Sequence, residues 1–174
     1  MQPEYLEDEL ESLRDAEERA LSRDSFLLPI ENLFSKRALT VDVDDSVQHA
    51  IAKMRETEYG AVVVTREGKV AGLLTERELI CNVVGVIEHY EQCKVHEVML
   101  VDPVTLRPED PILYALHNMQ AGGYRHIPIV DAGHRAISVV SLKDVVRYLL
   151  SYFAAEVYNL TPEPFRGPAP REGA

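Results

Sequence analysis

Apolar positions along the chain fall into two kinds of pattern, stripes at helical spacing and runs of β-formers, and the two alternate in the same order twice. Val47, Ala50, Ile51 and Met54 recur three or four residues apart, the spacing of one helix face, and Ile112, Ala115, Leu116 and Met119 repeat the set. After each stripe comes a run of β-formers, Ala61 to Thr65 and Ile127 to Val130, then a turn at Glu67-Gly68 or Ala132-Gly133. A second run follows, Val70 to Leu74 and Ala136 to Val140, so each pair of runs predicts a hairpin. A further helix should begin near Thr75 and near Ser141. Unbroken apolar runs such as Ala61 to Val64 predict strands covered on both faces.

The two series are copies. A shift of 65 residues pairs Thr40 with Thr105, Asp45 with Asp110, Met54 with Met119 and Tyr59 with Tyr124; a shift of 66 pairs Thr75 with Ser141, Glu78 with Asp144 and Leu79 with Val145. A short strand ends at Val41 or Leu106 in each copy, and Asp45 or Asp110 is placed to cap the next helix, with Pro111 at its first helical position. Gly122-Gly123 reads as that helix's C-cap in the second copy. The fold class is therefore α/β (α+β): two β-α-β-β-α repeats packed with pseudo-twofold symmetry, each about 60 residues and too small to be stable alone.

The ends differ from this body. Between Glu4 and Asp24 nine acids and three arginines carry −6 of the net −11, while Leu6, Leu10, Leu13, Ala20 and Leu21 form a narrow helical stripe. Four prolines and two glycines between Thr161 and Ala174 predict a loose tail. The expected organisation is an acidic N-terminal helix and linker (1–29), a first repeat (30–94), a second repeat (95–160) and the tail (161–174). With 18 basic against 29 acidic residues, nucleic acid is not an expected partner. Cys81 and Cys93 stand apart without a CxxC pattern or a secretory leader, and the apolar stretch Leu79 to Ile87 is too short for a membrane span, so a cytoplasmic protein without membrane insertion is expected.

Three segments, in this order within a duplicated unit, resemble the tandem cystathionine β-synthase (CBS) domain pair, or Bateman module. They are Val95 to Met99, Tyr124-Arg125-His126-Ile127-Pro128-Ile129-Val130-Asp131, and Ser138 to Val145. The resemblance implies a nucleotide signature at Ser141 and Asp144. A hydroxyl at a helix start sits among unpaired N–H groups, and a carboxylate one turn on can accept from both ribose hydroxyls. The same spacing also suits a plain capping box. By the same resemblance Arg125 and His126 would meet phosphates, while Ile127, Pro128 and Thr105 would border a base. A weaker first-repeat site would use Thr40, Ala61, Thr75 and Glu78. There Glu78 replaces Asp, Gly60-Ala61 replace Arg125-His126, and no cation is expected; Ser138 replaces Gly72's counterpart and would narrow the second-repeat slot.

The six histidines form no HxxxH or HExxH pattern, and no nucleophile stands beside a base, so neither a metal site nor a catalytic constellation is expected. Two functions follow. One is a non-enzymatic regulatory module, with no cofactor, that binds an adenosine-containing ligand (AMP, ADP, ATP, NAD or S-adenosylmethionine) between its repeats and modulates an unknown partner. The other is a dimeric interaction scaffold with degenerate clefts. In either case the resemblance implies a homodimer, to which Val83 to Ile87 would contribute.

Overall fold

The computed structural model describes residues 21–34 and 36–153; the N-terminal leucine stripe up to Ala20 and the Pro/Gly tail lie outside them. The first repeat runs β1 (Thr40–Asp42), α1 (Val47–Thr57), β2 (Ala61–Arg66), β3 (Lys69–Thr75) and α2 (Glu76–Asn82). A two-residue strand β4 (Leu100–Val101) leads into the second: α3 (Ile112–Gly122), β5 (His126–Val130), β6 (Ala136–Ser141) and α4 (Leu142–Ser151).

Strands order β1-β2-β3-β4 in one sheet, with β1 parallel to β2 and the other pairs antiparallel. The second sheet is the hairpin β5-β6, extended by single bridges. Leu106 bridges Ile129 in parallel, where β1 stands in the first sheet, and Arg37 bridges Ser138 antiparallel, where β4 stands. The strand expected at Leu106 is thus reduced to one bridge. The segment that precedes each repeat pairs onto the last strand of the repeat's hairpin-bearing neighbour: Val101 opposite Gly72, Arg37 opposite Ser138.

The uninterrupted apolar run of β2 has a direct cause. Val62 and Val64 pack with Val47, Ala50 and Met54 of α1 in one core, whereas Ala61 and Val63 face the opposite way and meet Val130, Ala136 and Val139 of the second repeat. Both faces of the strand are covered, so alternation with polar residues has no place there. The shared interface is reinforced by the amide of Val70 donating to the carbonyl of His134 at 2.9 Å. Burying β-branched side chains at roughly 1.5–3 kcal/mol each is what makes the second repeat a requirement for the first.

Local punctuation departs from expectation at three points. Ser46, not Asp45, caps α1, accepting from the His49 amide at 3.1 Å. Asp45 and Asp110 instead turn back, accepting from the amides of Asp42 (2.8 Å) and Arg107 (2.7 Å), so they brace the loop before the helix. Pro111 occupies the cap position of α3 rather than its first turn. The first hairpin turns at Glu67-Gly68 with φ of 52° and 76°, the left-handed pair of a primed turn. In the second hairpin the left-handed residue is His134 (φ 63°), and Asp131 Oδ1 accepts from the amides of Gly133 and Arg135. Gly123 ends α3 in the left-handed region as expected (φ 66°). α2 ends at Asn82; of the apolar residues beyond it Val83 is buried, while Val84 and Val86 are exposed. Among the described residues no helix is long and apolar enough to cross a membrane.

Candidate ligand cleft

Each hairpin delivers its chain into a helix start that carries a hydroxyl and a carboxylate. At α4, Asp144 Oδ2 accepts from the Ser141 amide (2.9 Å) and hydroxyl (2.5 Å), and the Asp144 amide donates to Ser141 Oγ at 3.3 Å. At α2 the Thr75 amide and hydroxyl both donate to Glu78 Oε2, and the Arg77 amide donates to Thr75 Oγ1 at 3.2 Å. Both pairs are therefore capping boxes, which satisfies the first amides of each helix. The preceding segments are tied to the same turns: the Glu76 amide donates to Gly60 O (3.1 Å) and the Leu142 amide to Arg125 O (2.9 Å).

Ser141 and Asp144 line a cavity of about 320 Å³ together with Arg125 and His126, so four of the expected second-repeat residues converge. Lys36, Arg37, Lys143 and Arg147 join them, giving with Arg125 five cations facing Glu58 and Asp144. Tyr59, Gly60 and Ala61 of the first repeat complete the wall. Lys36 Nζ lies 4.3 Å from the centroid of the Tyr59 ring, a cation–π contact that holds the ammonium at the rim. Arg147 Nη1 donates to Asp144 Oδ1 at 2.9 Å.

Thr75 and Glu78 line a second cavity of about 390 Å³ with Leu73, Ile80, Cys81 and Leu100. Gly60, Arg125 and His126 border both cavities. The expectation that no cation reaches the first-repeat site is corrected, because Arg77 and Arg125 line it. His126 stands between the two. Burial pushes its imidazole below the ordinary histidine value, against the opposing pull of Glu76, Asp144 and Glu78 and together with the push of Arg125.

Other expected residues lie elsewhere. Ile127 and Pro128 are buried in β5 and line neither cavity; Ile127 is wholly enclosed and serves the core. Thr105 lines a separate cavity with Leu106, Asp110, Asp131 and His134, away from Ser141. Thr40 lines neither cleft. The register explains Thr40, which pairs with Val63 along one edge of β2 while Thr75 pairs with Ala61 along the other; Thr105 precedes Leu106, which bridges Ile129 of β5. Ala61, expected in the Thr75 site, lies opposite Thr75 on the ladder but lines the Ser141 cavity, because the lead-in to β2 crosses to the signature of the other repeat. Ser138 does not narrow the slot. Its side chain is buried and donates to Lys36 O at 2.7 Å, fastening the strand that carries Lys36 and Arg37.

Lys36, Arg37, Tyr59, Lys143 and Arg147 were not singled out from the sequence. Arg147 lies one helical turn beyond Asp144, a spacing that could have flagged it. Lys36 and Arg37 reach the cleft through a bridge across 101 residues of sequence, which no local pattern reveals.

The CBS domain model matches residues 30–85 and 95–151, the two halves just described. The chain belongs to the CBS domain family. The mitochondrial CBS domain-containing protein CBSX3 of Arabidopsis thaliana is 32% identical over 123 residues, covering 67% of this chain and 59% of that protein. The chain spans between 19% and 59% of the length of the first curated relatives it matches. The CBS domain pair of protein MJ0100, solved with 5-methylthioadenosine and S-adenosyl-L-methionine, superposes with a TM-score of 0.63 at 18% identity, covering 70% of this chain and 98% of that one. CBSX2, solved with AMP, superposes with a TM-score of 0.59 at 17% identity, covering 71% of this chain and 97% of that one. At such identity the likeness is one of fold. CBS pairs are regulatory modules, typically not catalytic ones, and some of those that share this fold hold an adenosine compound. Among the described residues no group of three His, Cys, Asp or Glu side chains is placed to hold a metal ion.

Proposed function

We propose that this CBS pair is a sensor of a phosphorylated adenosine ligand, held in the cleft of Ser141 and Asp144, and that binding there modulates a partner protein. The observation that carries this reading is the gathering of Lys36, Arg37, Arg125, Lys143 and Arg147 around the signature carboxylate in a chain of net charge −11. Asp144 would accept the ribose hydroxyls, and the cations would meet the phosphates. This favours AMP, ADP, ATP or NAD over S-adenosylmethionine, whose sulfonium would be repelled. The Thr75 and Glu78 cleft would be the weaker site.

Assembly as a homodimer is part of the proposal, supported by exposed Leu113 and Tyr114 on α3 and Leu142 and Val146 on α4. The cytoplasm is the proposed compartment, supported by the unpaired thiols of Cys81 and Cys93. The scaffold reading draws support from the capping boxes, which already engage both carboxylates. A thermal-shift series with AMP, ADP, ATP, NAD and S-adenosylmethionine separates the two, since a ligand at 100 times its Kd adds about 2.7 kcal/mol. Stabilisation by the phosphorylated ligands, lost in Asp144→Asn, supports sensing. The asparagine keeps an acceptor for the Ser141 amide, so its fold should persist. A silent series rejects sensing in favour of the scaffold.

A further inference from the structure

Asp144 is engaged at both oxygens, by Ser141 at Oδ2 and by Arg147 at Oδ1. The Asp144 side chain is only 11% exposed, whereas that of Arg147 is 58% exposed. The two share one cavity wall, so a diol that reaches the carboxylate from the cavity meets the guanidinium at Oδ1. A charged N–H donor outcompetes a neutral hydroxyl for a carboxylate oxygen. Arg147 has room to withdraw, and on withdrawing it stays on the rim beside Lys36, Arg37, Arg125 and Lys143. There a phosphate would receive it with bidentate geometry.

Resting on the functional reading above, we propose that Arg147 is the specificity-determining residue of the cleft: a latch on Asp144 that a phosphorylated ligand exchanges for its own phosphate, and that an unphosphorylated nucleoside must break without replacement. The 66-residue offset places Cys81 at the corresponding point of the first repeat, so the other cleft has no such latch. Discrimination by this latch thus belongs to the Ser141 cleft, whereas the Thr75 cleft has Arg77 and Arg125 as its cations.

The latch predicts opposite signs in one variant. Calorimetry on the full chain in magnesium-free buffer, with adenosine and with ATP, compares wild type with Arg147→Met, which keeps the apolar stem and removes every donor. Adenosine should bind about threefold to tenfold more tightly, and ATP about tenfold more weakly. Arg147→Lys, which keeps the charge but not the fork, should move both ligands the same ways by less, and it carries the test if the methionine variant does not fold. Affinities that move in the same direction, or do not move, overturn the latch and leave the functional reading standing. A wild-type chain that binds neither ligand overturns both.

Discussion

Both clefts open beside a helix start that follows a hairpin, and both present a hydroxyl and a carboxylate three residues apart, Ser141 with Asp144 and Thr75 with Glu78. Around that shared device the linings diverge. Where the Ser141 cleft has Lys36 and Arg147, the Thr75 cleft has Leu100 and Cys81; where the first has Leu142, the second has Glu76. Duplication preserved the backbone, since caps and hairpins depend on local hydrogen bonds that tolerate either lining. The charge can differ between the two because these side chains line the cavities. On the proposed function, ligand preference would rest on these linings as well as on the exchange of Asp144 for Glu78 within the signature.

Arg125 tests this contrast hardest because it borders both cavities. Arg125→Ala should weaken ATP by roughly tenfold to a hundredfold, the range for a hydrogen bond to a charged group, while adenosine changes little. The preference of wild type for ATP over adenosine should also shrink as salt is raised. Calorimetry at two ionic strengths measures both effects. An equal loss for adenosine and ATP would remove Arg125 from the phosphate role in either cleft and leave the contrast to Lys36 and Arg147.

How far the sequence foretold this site depends on the range of the interactions involved. The helix faces of Val47, Ala50 and Met54 and of Ile112, Ala115 and Met119 were legible because burial imposes a period on the residues themselves. Ser141 with Asp144 was legible because a cap is a local object. Thr40 and Thr105 were misplaced because their distance from the signature is set by strand order, which periodicity does not encode. The crossing of Ala61 to the other repeat's signature, and the arrival of Lys36 and Arg37, follow from pairing between the halves. Such pairing is invisible to any window a few residues wide.

Gly72 and Ser138, which occupy matching places in the two repeats, sharpen the comparison through stability. A Cβ on Gly72 would lie 2.2 Å from Met99 Sδ and 3.0 Å from Leu100 O, so the first repeat requires glycine where the second repeat's lead-in strand passes it. Gly72→Ala should cost about 1–3 kcal/mol, as overpacking does, in denaturant unfolding. Against the second repeat, the first repeat's lead-in stands where the Ser138 hydroxyl can bond it. Ser138→Ala should cost about 1 kcal/mol, the usual worth of such a hydrogen bond, and should weaken ATP a few-fold by loosening Lys36 and Arg37. An alanine at 72 without cost would show that the two lead-in strands are seated alike.

The smallest expected effect concerns His126, whose imidazole borders both clefts. Because burial lowers the His126 pKa in the folded chain, the unfolded chain binds the extra proton first as pH falls below the ordinary histidine value of about 6.5. Stability should then rise with pH through the interval between the lowered folded value and about 6.5, and be insensitive to this group above it. Glu76, Glu78 and Asp144 oppose the shift from the two helix starts while Arg125 adds to it, so the slope reports on both linings at once. Thermal unfolding between pH 5.5 and 7.5 should give a flatter profile for His126→Gln than for wild type. Adding Glu78→Gln to wild type should steepen the profile, since removing an acid lowers the histidine value further; Glu76→Gln should do the same, with its effect felt from the Thr75 side. If neither acid variant alters the slope, the imidazole is not electrostatically shared between the clefts, and the two sites differ independently.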